Sequence, residues 1–160
     1  MKRSWRRCAL FLLVAGGFAT EAASSGLAGS WSCPTTLQVT AVGQAELTVE
    51  VNTRTDLEPD GRYHSEGDAI VRLGRLPLTL AATSHGRWLR EEQNVTIIVE
   101  ALELSPGSAF GAELQRQVAQ QLASLLPELP YTRTTRILAE TPTQLWLEDP
   151  LGDQYTCSRL

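Results

Sequence analysis
Beyond Lys2 the chain contains no lysine, and the whole sequence holds two histidines and three cysteines. The missing lysines exclude a lysine Schiff base and a phosphate-binding lysine loop, and they argue against the basic face that nucleic acid demands. With only His64 and His85 available, and no Gly-x-Ser-x-Gly elbow, a nucleophilic triad has almost nothing to draw on. Cys8, Cys33 and Cys157 form no Cys-x-x-Cys pair, so a metal or redox site lacks its partners. The longest apolar run, Ala9 to Phe18, is half the roughly twenty residues needed to span a hydrocarbon core. Few functional classes survive these absences.

What is present begins with an export signal. Lys2, Arg3, Arg6 and Arg7 form a basic stretch ahead of that apolar run, and Thr20-Glu21-Ala22 or Ala22-Ala23-Ser24 offers small residues for cleavage. Cys8 precedes the apolar run, which excludes it as a lipid-modified cysteine behind such a run. Residues 1–22 are therefore expected to be a signal peptide and 23–160 a single domain, periplasmic or secreted, with no integral membrane segment after processing. Taking four cations and Glu21 from the formal charge of −4 leaves about −7, which gains nothing from an anionic membrane surface.

The two ends of that domain match. Gly29-Ser30-Trp31-Ser32-Cys33 opens it and Cys157-Ser158-Arg159 closes it. If Cys33 lies opposite Cys157 on antiparallel strands, Trp31 falls opposite Arg159, because both steps are two residues. A disulfide and a guanidinium-on-indole contact then share one sheet face, tying the first strand to the last as a closed barrel requires.

Between the ends the pattern is mostly β. Glu46 to Thr55 alternates apolar or threonine with polar residues, Glu58-Pro59-Asp60-Gly61 reads as a turn, and Arg62 to Leu73 returns, with Gly67 marking an expected bulge or bend. Leu76 to Ser84 is a further strand, His85-Gly86 is expected to turn the chain into Arg87–Arg90, and Asn94 to Leu104 is the most strongly β segment. Phe110, Leu114, Val118, Leu122, Leu125 and Leu126 then recur at three- and four-residue spacing, which predicts one amphipathic helix over about 108–126. Strands resume at about Thr132–Glu140, Gln144–Glu148 and Gln154–Arg159, with turns at Thr141-Pro142 and Pro150–Asp153. Seven or eight strands joined by short turns make an antiparallel meander.

Chemistry is sparse along it. His64, Glu66 and Asp68 share a strand face, but residues two apart are separated by about 6.8 Å, too far for three ligands to meet one metal without a bulge. The acidic residues Glu46, Glu50, Glu100, Glu103 and Glu148 alternate with apolar ones, the pattern of a solvated outer face, and no spacing singles out an acid–base pair. The expectation is no enzyme, no metal and no cofactor. Tyr63, Trp88 and Trp146, with Trp31 and Tyr155, either line a ligand cavity or simply fill a small barrel.

Gly29-x-Trp31 on the first strand, Asp60-Gly61-Arg62-Tyr63 at a hairpin, Gly86-x-Trp88 on a middle strand and a terminal Arg159 together resemble the lipocalin-like (calycin) barrels, particularly small secreted bacterial members. Two features depart from that pattern: the helix precedes the last three strands, and the Thr-Asp-Tyr signature is missing. The resemblance implies a mainly β, up-and-down lipocalin-like barrel with one inserted helix, in which Trp31 and Arg159 pack across the closed end. It also implies non-enzymatic binding of a small apolar or amphipathic ligand. The alternative is a cell-envelope interaction module, an inhibitor or accessory subunit, with a filled barrel and no ligand.

Overall fold
The computed structural model describes residues 26–40, 46–73, 75–108 and 111–160. The expected signal peptide and the start of the domain at residue 23 lie outside the described residues, as does Phe110 of the helical stripe. Eight strands close into one barrel in chain order: β1 (Gly29–Thr40), β2 (Glu46–Leu57), β3 (Arg62–Leu73), β4 (Leu76–Glu91), β5 (Asn94–Pro106), β6 (Tyr131–Glu140), β7 (Gln144–Glu148) and β8 (Gln154–Arg159). One helix, α1 (Ala112–Leu125), stands between β5 and β6 and packs on β5 and β4. Every strand pair is antiparallel, so the fold is an up-and-down barrel.

The turns follow their local chemistry. At the β2–β3 hairpin the Gly61 amide donates to the Glu58 carbonyl at 3.0 Å, with Gly61 at φ 86°, a conformation glycine adopts at no steric cost. At the β7–β8 turn the Asp149 carboxylate accepts the Leu151 and Asp153 amides at 2.8 and 3.0 Å.

Two expectations about glycines need correction. His85-Gly86 does not turn the chain; β4 runs straight through it for 16 residues, and the pairing with β5 shifts register there as a bulge. A Cβ at Gly86 would stand 2.1 Å from the Ile98 carbonyl oxygen, so the glycine permits a close crossing of two strands. Gly67, expected to bulge, sits in unbroken register with both neighbours. There a Cβ would come within 2.0 Å of the Asn52 carbonyl oxygen, and close backbone approach is again the reason for glycine.

The barrel is tall on one side and low on the other. Strands β1 to β5 have 12 to 16 residues, whereas β7 and β8 have 5 and 6. Pairing of β5 with β6 stops at Val99–Tyr131 while β5 continues along β4 to Pro106. The helix occupies the side left open. Two core clusters result: one around Leu27, Trp31, Tyr63, Trp88, Ile137 and Leu145 at the closed end, the other where Val118, Ala119 and Leu122 of α1 meet Val49, Val71 and Leu80.

Candidate functional site
Barrel closure comes first, because it decides which side chains face inward. Trp31 pairs with Arg159 in the β1–β8 ladder, and a disulfide joins Cys33 to Cys157, whose Cα atoms are 4.3 Å apart. The Arg159 guanidinium lies over the Trp31 ring at 4.3 Å from its centroid. Its Nε donates to the Pro142 carbonyl at 2.8 Å, its Nη1 to Ala28 at 2.9 Å, and its Nη2 to Gly26. The Trp31 indole donates to the Leu27 carbonyl at 2.7 Å. Leu27 itself is fully buried, though the sequence around it reads only as a small-residue lead. Residues 26–29 thus fold over the closed end and stopper it. No spacing rule could have found Leu27, because its burial comes from joining a core assembled from strands along the whole chain.

Above this stopper lies a cavity of about 390 Å³, bounded at the other end by Leu122, Leu125 and Leu126 of the helix segment. Its walls are mostly aliphatic, with Val49, Val51, Val99, Leu102 and Leu104 facing inward, the inner half of each strand's two-residue alternation. Ten hydroxyl-bearing residues interrupt them, among them Thr55, Ser65, Ser84, Tyr63, Tyr131 and Tyr155. Thr55 and Ser65 satisfy each other at 3.0 Å. Arg133 is the sole formally charged residue among the described lining, and it sits 3.6 Å from the buried Asp149 carboxylate.

Of the three aromatic candidates only Tyr63 lines the cavity, although Tyr63 and Trp88 share the closed-end core. Tyr63 lines the cavity and is 4% exposed. Trp88 is buried in the closed-end core instead, its indole donating to the Glu58 carbonyl at 2.8 Å, so it latches the β2–β3 hairpin down. Trp146 lies between Leu145 and Leu147, which face the lumen; the alternation turns it to the outer wall, where it is half-buried. Tyr131 and Tyr155, at the low side of the wall, are lumen residues with Tyr63.

Burial sets the protonation of the two inner phenols. It pushes Tyr63 above the usual tyrosine range, with Tyr131 and Glu100 adding to the rise and Ser84 opposing it. Burial likewise raises Tyr131, against the neighbouring Arg133. Both remain neutral and able to donate. The Tyr63 hydroxyl is buried, and Ser84 is the side-chain hydrogen-bonding group beside it.

Outside, the charges pair across strands. Glu50 meets Arg72 at 2.8 Å, Glu100 meets Arg87 at 2.7 Å, and Glu140 meets Arg90 at 2.9 Å. His64 and His85 are exposed on this outer surface, with His64 Nε2 3.9 Å from Glu66. Among the described residues no group of three His, Cys, Asp or Glu side chains could hold a metal ion. No family model matches the chain, and no curated protein matches it in sequence.

Proposed function
We propose that this protein is an exported, lipocalin-like carrier that holds a small apolar or amphipathic ligand in its barrel without transforming it. The observation that carries the reading is the cavity of about 390 Å³, within the range of small-molecule sites and lined by aliphatic side chains and hydroxyls. A filled barrel would leave no such space. The Cys33–Cys157 disulfide supports export, since such bonds persist in oxidising compartments. Inward-facing chemistry supports binding over catalysis: among the described residues the lining holds no histidine or carboxylate, and its one cation, Arg133, lies 3.6 Å from Asp149. Access belongs at the helix end, where Leu122, Leu125 and Leu126 border the cavity.

The interaction-module reading draws on one observation. Leu125, Leu126 and Leu129 are exposed beside the helix C-terminus, and Leu151 is 88% exposed in the neighbouring β7–β8 turn. Native mass spectrometry of protein purified gently from the exported compartment separates the two. A reproducible adduct lost on organic extraction is the expected result. A bare mass together with a co-purifying polypeptide would replace the carrier by the interaction module.

A further inference from the structure
We propose that the lumen takes a single-chain anionic amphiphile, with its chain among the aliphatic walls and its carboxylate or phosphate head on Arg133. This rests on the carrier reading and specifies the ligand's chemistry.

The position of Arg133 is the first observation. Tyr131, Arg133 and Thr135 alternate on the inner face of β6, and all three line the cavity. Opposite them on β5 stand Val99, Ile97 and Val95, which line it as well. On its other side β6 gains a partner only from Arg136 onward, where β7 ends at Glu148. Arg133 therefore stands beyond the short strands, beside the β7–β8 turn that carries Asp149. Its side chain is 38% exposed although it lines the lumen, so the guanidinium is reached from the cavity and from water. A cation at that boundary lets an anionic head keep part of its hydration while the attached chain is buried.

The second observation is what Arg133 leaves unused. Its charged partner among the described residues is Asp149, with Nη2 3.6 Å from Oδ2, beyond the usual reach of a direct hydrogen bond. Asp149 is committed elsewhere, since its Oδ1 accepts the Leu151 and Asp153 amides at 2.8 and 3.0 Å. The guanidinium donates no hydrogen bond to any described residue. Its planar fork of N–H groups matches the oxygens of a carboxylate or phosphate two at a time. Asp149 sits near enough to orient that fork and too far away to occupy it.

The third observation is the sign of the lining. Among the described residues the cavity wall holds no carboxylate, so an ammonium head would face Arg133 with nothing to offset the repulsion. Tyr131 is close enough for the Arg133 charge to act on its phenol; burial keeps that phenol neutral, and it does not repel an anion. At about 30 Å³ per water, the cavity of about 390 Å³ holds on the order of thirteen water volumes, which suits a chain of about ten carbons and a small head.

The test displaces N-phenylnaphthylamine, a neutral apolar fluorophore, from the oxidised full chain with decanoate, decyl phosphate, decanol or decylamine, each below its micellar concentration. Both anions should displace it at lower concentration than decanol, and decylamine should be weakest. The formal charge of −4 pulls the opposite way and would by itself favour the amine. Arg133→Gln should weaken the anions by roughly ten- to a hundredfold, the worth of charge-assisted hydrogen bonds, and leave the fluorophore and decanol within about twofold. Arg133→Lys should keep the anions ahead of decanol. The tighter of the two anions names the head group. Decanol binding the wild type as tightly as the anions, or decylamine binding tightest, would overturn the proposal while the carrier reading stood. Equal loss of anions and decanol in R133Q would make Arg133 a structural residue and overturn it as well. Should R133Q not fold, the head-group order in the wild type and R133K decides. If neither the fluorophore nor any of the four amphiphiles binds, the carrier reading itself fails, and the proposal with it.

Discussion
The two ends of the barrel are built from the same alternating strands but held by different means. The closed end joins segments from opposite ends of the described chain: Leu27, Trp31 and Cys33 against Cys157 and Arg159, across a sequence separation of 124 at the disulfide. The helix end is covered by an insertion. The α1 N-cap is Gly111 at φ 69° with no side-chain cap, and its last turn has no basic residue. A Gln115–Ser108 hydrogen bond at 3.0 Å and the burial of Val118, Ala119 and Leu122 hold it. One end is stapled through long-range contacts and the other rests on one helix face. On the carrier reading proposed above, the more weakly held helix end is where a ligand would enter.

Breaking the floor should have the largest effect. Replacing Cys33 and Cys157 together by alanine removes a constraint that the chain-entropy model sets at about 4–5 kcal/mol, an upper value read from urea unfolding. Trp31→Ala should follow, at about 3–5 kcal/mol for a buried tryptophan. Arg159→Ala should cost about 2 kcal/mol through the stacking contact and its carbonyl bonds. Arg159→Ala should leave binding of a neutral apolar fluorophore such as N-phenylnaphthylamine unchanged, because Arg159 does not line the cavity, whereas Trp31 does; changed binding in the Arg159 variant would mean that the floor shapes the site.

Loosening the cover tests the other side of the comparison. Leu122→Ala should destabilise by about 2 kcal/mol, the low end for a buried leucine, because the site borders existing space. It should also speed release of a bound neutral fluorophore in stopped-flow mixing, whereas Arg159→Ala, which removes floor contacts outside the cavity lining, should not. Faster release from the floor variant instead would place the entrance at the wrong end.

The smallest effect is acid sensitivity. The Ser30 hydroxyl, with Arg54, holds Asp56 below its ordinary value of 3.8, and Arg72 holds Glu50 below 4.5. Depressed carboxylates stabilise the fold fully above those ordinary values, and the contribution is lost as pH falls through the lower folded values. Both groups are solvent-screened, so the loss should be slight. Urea midpoints compared at pH 6 and pH 3 should differ less in D56N than in the wild type.

Much of this architecture is legible in the order of residues alone. Turns such as Glu58–Gly61 and Asp149–Asp153 are decided within four or five residues, by which conformations proline, glycine and aspartate favour. Strand alternation is equally local, and the matched two-residue steps at the ends were enough to pair Trp31 with Arg159. The helix was expected over 108–126 and spans Ala112–Leu125. A two-residue period separates two faces without saying which of them looks inward. In Gln144-Leu145-Trp146-Leu147-Glu148 the bulkiest side chain went outside, because Leu145 and Leu147 share the lumen row with Cys157 and Tyr155 of β8. The bulge at His85 and Gly86, the burial of Leu27 and the emptiness of the lumen were likewise decided only in three dimensions. Each depends on how eight strands close around one volume, a sum over the whole wall that no single stretch of sequence contains.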